Sequence, residues 1–135
     1  RAWIRDVERR SGVEDIFWSG NPAFAVRREI APIEGETLIR KTTFGAFNSS
    51  NIDQVLRLIG VETLVITGIS TNACVETTAR DAADRGYACV IVEEGTADYD
   101  DEARDAALRG FHFNFGRVAR RAEDVIAALE AEADI

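Results

Sequence analysis

Residues 63–86 read TLVITGISTNACVETTARDAADRG, and the pattern changes character twice within them. Leu64, Val65 and Ile66 form a continuous apolar run, the length of a parallel strand buried on both faces. A polar corner follows, Gly68-Ile69-Ser70-Thr71-Asn72. From Ala73 the spacing turns helical: Val75, Ala79, Ala82 and Ala83 share one face, and Gly86 stands where a helix stops. Cys74 therefore falls in the first turn of a helix, just past the end of a buried strand. Backbone N–H groups and the positive end of a helix dipole converge at such a place, favouring a thiolate and an oxyanion. The spacing reads as a nucleophilic cysteine.

Working outward, residues 88–92 (ACVIV) give a second apolar strand, closed by Glu93-Glu94-Gly95. Asp100 or Asp101 starts a helix with Ala103, Ala107 and Leu108 inward, and Phe111, Phe113 and Phe115 continue its apolar content. Residues 116–120 read as a short edge strand and residues 122–133 as a last amphipathic helix through Val125, Ile126 and Leu129. Upstream, residues 36–41 (ETLIRK) read as a strand that delivers Lys41 at its carboxyl end. Ser50 then caps a helix, with Asp53 three residues on as a capping-box variant. That helix carries Ile52, Val55, Leu56 and Ile59 on one face and stops at Gly60. Strand and helix alternate about four times, with crossovers long enough for parallel pairing, so the class is α/β with helices covering the sheet.

The first 31 residues are less regular. Trp3, Ile4 and Val7 predict a short helix ending near Ser11-Gly12. Ile16, Phe17, Trp18, Phe24 and Val26 scatter around Gly20-Asn21-Pro22, the chemistry of a loop with aromatic anchors. It reads equally as a surface loop and as a lid or pocket wall carrying Trp18.

Composition narrows the function. A net charge of −8 over 135 residues argues against nucleic acid or an anionic membrane as partner. No apolar run approaches the ~18 residues of a membrane span. Two cysteines, Cys74 and Cys89, make no disulfide framework, which points to a reducing, cytoplasmic setting. One histidine, His112, cannot build a His-rich metal site, and no cofactor is implied. The chain has no methionine and opens on Arg1, so it reads as starting downstream of a translation start.

Ligands of such sheets gather beyond the carboxyl ends of the strands, where Lys41 and the corner around Cys74 can share a crevice. An ammonium there would favour the thiolate further, and the backbone N–H of Cys74 with one from the corner would hold an oxyanion. Cys89, mid-strand among Val90 and Ile91, reads instead as an inert buried hydrophobe. His112 reads as structural, and Glu76 and Arg80 as a helix-supporting i, i+4 pair.

The segments KTTFGAF (41–47), TGISTNACVETTARDAADRGY (67–87), VIVEEGTADY (90–99) and LRGFHFNFGRV (108–118) resemble the isochorismatase-like cysteine hydrolase family. The resemblance runs from about Glu36 to Val118. It implies a single domain over residues 1–135 with a Rossmann-like, three-layer α/β/α fold and a mostly parallel sheet. It also implies a Cys–Asp–Lys triad in which Cys74 is the nucleophile and Lys41 the lysine. A cis peptide at Ile69–Ser70 is implied too, aiming the Ser70 and Cys74 N–H groups at the oxyanion. Phe44, Phe47 and Trp18 become pocket-wall candidates, and Asn72 and Ser70 candidates for polar substrate atoms. The family's triad aspartate, and its first two strands, have no counterpart in residues 1–135, so the domain reads as incomplete at its N-terminal side.

A cysteine at position 74 implies the amidohydrolase branch: cleavage of a small amide, ureido or carbamoyl compound through a thioester, without metal, in a homo-oligomer. The missing histidines speak against the metal-binding nicotinamidases. The competing reading is a non-catalytic relative serving as an assembly or binding subunit. A redox-sensing thiol is weaker, because no resolving cysteine lies near Cys74 in sequence.

Overall fold

The computed structural model describes residues 2–15 and 17–131. They divide into two compact units, Arg1–Leu38 and Ile39–Ile135. In the first, helix α1 (Ala2–Ser11) stops at Gly12, whose positive φ of 69° lets the chain turn away while its N–H still reaches Glu8 O. The predicted helix and its end are both present. Trp3 and Phe17 pack ring to ring at 5.4 Å. The side chain of Asn21 donates to the carbonyls of Glu14 and Asp15, tying the aromatic loop into a turn. Ile16, one of the scattered apolar residues, lies outside the described residues, as do the last two positions of the helix expected over 122–133.

The second unit holds a three-stranded parallel sheet in the order β1 (Thr63–Ile69), β2 (Ala88–Ala97), β3 (Arg117–Ala119). Its helices are α2 (Ile52–Leu58), α3 (Glu76–Asp84), α4 (Asp101–Asn114) and α5 (Ala122–Glu130). The side-chain alternation of β2 divides the core. Cys89 and Ile91 face α3 and α4 in a cluster with Val75, Ala79, Ala82, Leu108 and Phe111. Val90 and Val92 face Val125 of α5 on the other side. Helices therefore cover both faces, as the α/β reading expects. Among the described residues, no helix is long and apolar enough to cross a membrane.

Asp100 supplies the N-cap of α4, its carboxylate accepting from Ala103 N at 2.7 Å. Arg80 joins α3 to the end of α4: it donates to Glu76 while its guanidinium lies 4.2 Å over the Phe115 ring. The Glu76–Arg80 pair thus does more than support its own helix. His112 Nδ1 accepts from Val118 N, the structural role expected of it.

Four expectations are corrected. Residues 36–41 form no strand. Extended backbone becomes a strand only where a neighbour takes its N–H and C=O groups, and the described residues offer none. The run 64–66 forms a strand but is not buried on both faces. Among the described residues β2 lies between the other two strands, and β1 has no neighbour on its far side, with Val65 and Ile69 exposed. Ile59 is 65% exposed instead of packed, standing at the C-cap where α2 ends. The capping box at Ser50 is not closed by Asp53. Ser50 Oγ does accept from Ile52 N, but Asp53 turns away to accept from Tyr87 Oη at 2.8 Å and from Arg57. The Tyr87 hydrogen bond, then Arg57, holds that carboxyl below its ordinary pKa.

Candidate functional site

The corner after β1 is built by three backbone features. The peptide Ile69–Ser70 is cis. Ser70 O accepts from both Ala73 N and Val75 N, the second bond spanning five residues, so Thr71–Val75 wind as one π-helical turn before α3 begins at Glu76. The first helical turn at Cys74 is therefore wider than the α-turn its spacing suggests. Such turns recur at functional sites. Thr71, the first residue of the turn, is fully buried, and its hydroxyl meets no hydrogen-bond partner among the described residues. Cys74, three residues on, is half-buried and not in a disulfide.

Cys74 is linked to the Lys41 segment through Thr78. Thr78 Oγ1 donates to Cys74 O at 2.7 Å and accepts from Ala46 N at 3.1 Å. Asn48 Nδ2 adds a 2.7 Å bond to Asp81 of α3. Gly45 packs so closely on this helix that a Cβ there would lie 2.6 Å from Asp81 Oδ2 and 2.9 Å from Thr77 Cγ2. Within this loop the Lys41 ammonium donates to the carbonyls of Thr43 and Phe44, at 2.8 and 2.9 Å. A strand was expected to deliver Lys41. A loop clasped onto α3 carries it instead.

The remaining site candidates separate. Ser70 is half-buried, its carbonyl organising the turn. Asn72 is exposed. Phe44 is exposed, whereas Phe47 sits in the core at 8% exposure, between Tyr87 and the guanidinium of Arg85. Trp18 is exposed in the other unit, where it lines a cleft with Ile4, Arg5, Glu8, Asp15 and Phe17. Cys89 is 3% exposed, and burial pushes its thiol up to about 11. It is the inert thiol that its position mid-strand predicts. No group of three His, Cys, Asp or Glu side chains able to hold a metal occurs among the described residues.

One contact at this corner has no counterpart in the sequence reading. The carboxylate of Asp98, just past β2, accepts from Asn72 N at 2.7 Å. In the sequence reading the strand closes at residue 92, so Asp98 is not seen to stand one residue beyond it; only the structure extends β2 to Ala97.

Residues 3–123 match the model of the Isochorismatase domain family. The chain is 34% identical over 103 residues to Nicotinamidase 3 of Arabidopsis thaliana, covering 75% of this chain and 52% of that one. It is 41% identical over 94 residues to ureidoacrylate amidohydrolase RutB of Agrobacterium fabrum, covering 69% and 41%. The chain thus spans about half the length of these curated relatives or less. Among solved structures, a cysteine hydrolase from Pseudomonas syringae superposes with a TM-score of 0.82 at 26% identity, covering 94% of this chain and 64% of that one.

Proposed function

The chain belongs to the isochorismatase domain family, and from that membership we propose that it is a cysteine-dependent amidohydrolase of small amide, ureido or carbamoyl compounds. The observation that carries the reading is the clasp: a half-buried Cys74 on a turn beyond β1, hydrogen-bonded through Thr78 to the loop that holds Lys41. The amidohydrolase relatives support C–N cleavage as the reaction.

In the proposed step the Cys74 sulfur attacks the amide carbonyl. The N–H groups of Ser70 and Cys74 hold the resulting oxyanion. The C–N bond then breaks, and the nitrogen leaves with the proton given up by the thiol, as ammonia or an amine. Water adds to the thioester, restoring the thiol and releasing the carboxylic acid, or, from a carbamoyl thioester, carbamic acid that decomposes to carbon dioxide and ammonia. Lys41 favours the anionic sulfur. Asn72 and Ser70 meet polar substrate atoms, and Phe44 forms part of the wall. We place the protein in a reducing cytoplasm as a homo-oligomer acting without a metal.

Ammonia release from ureidoacrylate and from nicotinamide tests the reading. The expected result is turnover of the open-chain ureido compound at least about tenfold faster in kcat/KM, a difference of about 1.4 kcal/mol. Hydrolysis of neither compound counts against it.

A second reading, an assembly subunit, draws on the edge of β1, unpaired among the described residues, and the exposed Leu58, Ile59, Val65 and Ile69. An obligate oligomer by native mass, with no amide hydrolysis, would favour it.

A further inference from the structure

The registers of β1 and β2 are not uniform. Ile66 pairs with Ile91, but Gly68 pairs with Thr96, so β2 advances five residues while β1 advances two. The surplus bulges out of β2 over residues 92–95, where Thr96 Oγ1 donates back to Glu93 O. Gly95 permits the bulge: a Cβ there would stand 2.9 Å from Thr67 Cγ2. After it the strands pair again, Ile69 beside Ala97. Asp98 is thereby brought level with Ser70, at the entrance of the turn that carries Cys74. Bulges of this kind re-aim a side chain near functional sites.

Both carboxylate oxygens of Asp98 are engaged. Oδ1 accepts from Tyr99 N at 2.8 Å, which fixes the side chain to its own loop, and Oδ2 accepts from Asn72 N at 2.7 Å. Asn72 is the second residue of the π-helical turn, between the cis peptide and Cys74. A charged acceptor on a backbone N–H is the stronger kind of hydrogen bond. We propose that Asp98 is a positioning residue: it pins the Asn72 amide and so fixes the turn that presents Cys74. It acts through the backbone of another element, and its role in turnover rests on the amidohydrolase reading above.

Two readouts keep the two ideas apart. The first is amide hydrogen exchange, residue by residue, in wild type, Asp98→Ala and Asp98→Asn. Removing the acceptor is expected to speed exchange at Asn72, and at Ala73 and Val75 of the same turn, by about tenfold or more. The amides of Val90 to Val92 and the thermal midpoint should stay at their wild-type values, which a general loss of structure would not allow. Asp98→Asn keeps one acceptor oxygen and should fall between. The second readout is ureidoacrylate hydrolysis, in which Asp98→Ala is expected to lower kcat about tenfold or more with KM little changed, since a small misplacement of the reacting group acts on the transition state. Unchanged exchange at Asn72 in Asp98→Ala overturns the proposal, and so does faster exchange with an unchanged kcat. A wild type that hydrolyses nothing but shows the exchange pattern overturns the amidohydrolase reading alone, leaving Asp98 as the residue that positions the turn.

Discussion

Cys74→Ala is expected to lower kcat for amide hydrolysis at least about a thousandfold while leaving the fold intact, the size of effect that follows removal of a covalent nucleophile. The structural cost is small, about 1 kcal/mol or less, because the side chain is half-buried and the bond from Thr78 goes to the backbone carbonyl, which alanine keeps. Cys89→Ala is the matching control. Its sulfur is packed among Ile91, Leu108 and Phe111 in the core, so it should lose stability and keep turnover. Steady-state hydrolysis and a urea transition on both variants check the pair. A reversed pattern, with activity following Cys89, would contradict the assignment.

The largest stability effect is expected at Phe111. Its ring is fully buried, stacks on Phe115 at 6.2 Å and lies against the backbone at Gly116. There a Cβ would come within 2.8 Å of the ring and 2.4 Å of Cys89 O. Phe111→Ala should cost about 3–5 kcal/mol, the transfer of the ring plus the cavity it leaves. That is a large part of the 5–15 kcal/mol typical of a domain. Phe113→Ala, two residues on and 87% exposed, should change stability by no more than about 0.5 kcal/mol. Urea midpoints at constant slope measure both.

These two phenylalanines also mark where the sequence stops being legible. Phe111, Phe113 and Phe115 look alike in the one-letter string, and only the path of α4 turns 111 and 115 inward and 113 out. What could be read were local patterns that tertiary structure then kept: the run before the corner, the helical face of Val75, Ala79 and Ala82, the apolar stretch of β2, the cap at Asp100. What could not be read depended on neighbours. Residues 36–41 have strand-like composition but no partner for their backbone among the described residues. Val65 and Ile59 have core chemistry, but nothing among the described residues covers them: Val65 lies on the outermost strand and Ile59 at the end of α2. Asp53 has the right spacing for a capping box, yet Tyr87, 34 positions away, offers its carboxylate a better donor.

The site divides the same way. The setting of Cys74 was legible because strand, corner and helix are all local to it. Lys41 was legible through the resemblance, but the loop that carries it depends on Thr78, Asn48 and Gly45 meeting α3, contacts that span about thirty residues of chain. Asp98 was hidden by the bulge in β2, because a uniform register would have set it well away from the turn.

The proposed nucleophilic role of Cys74 is tested most directly by acid-quenching the protein during incubation with ureidoacrylate and mapping the peptides by mass. The account predicts an acyl adduct on the peptide containing Cys74, absent from Cys74→Ala and from the peptide containing Cys89. Turnover with no adduct on Cys74, sustained in Cys74→Ala, would contradict it.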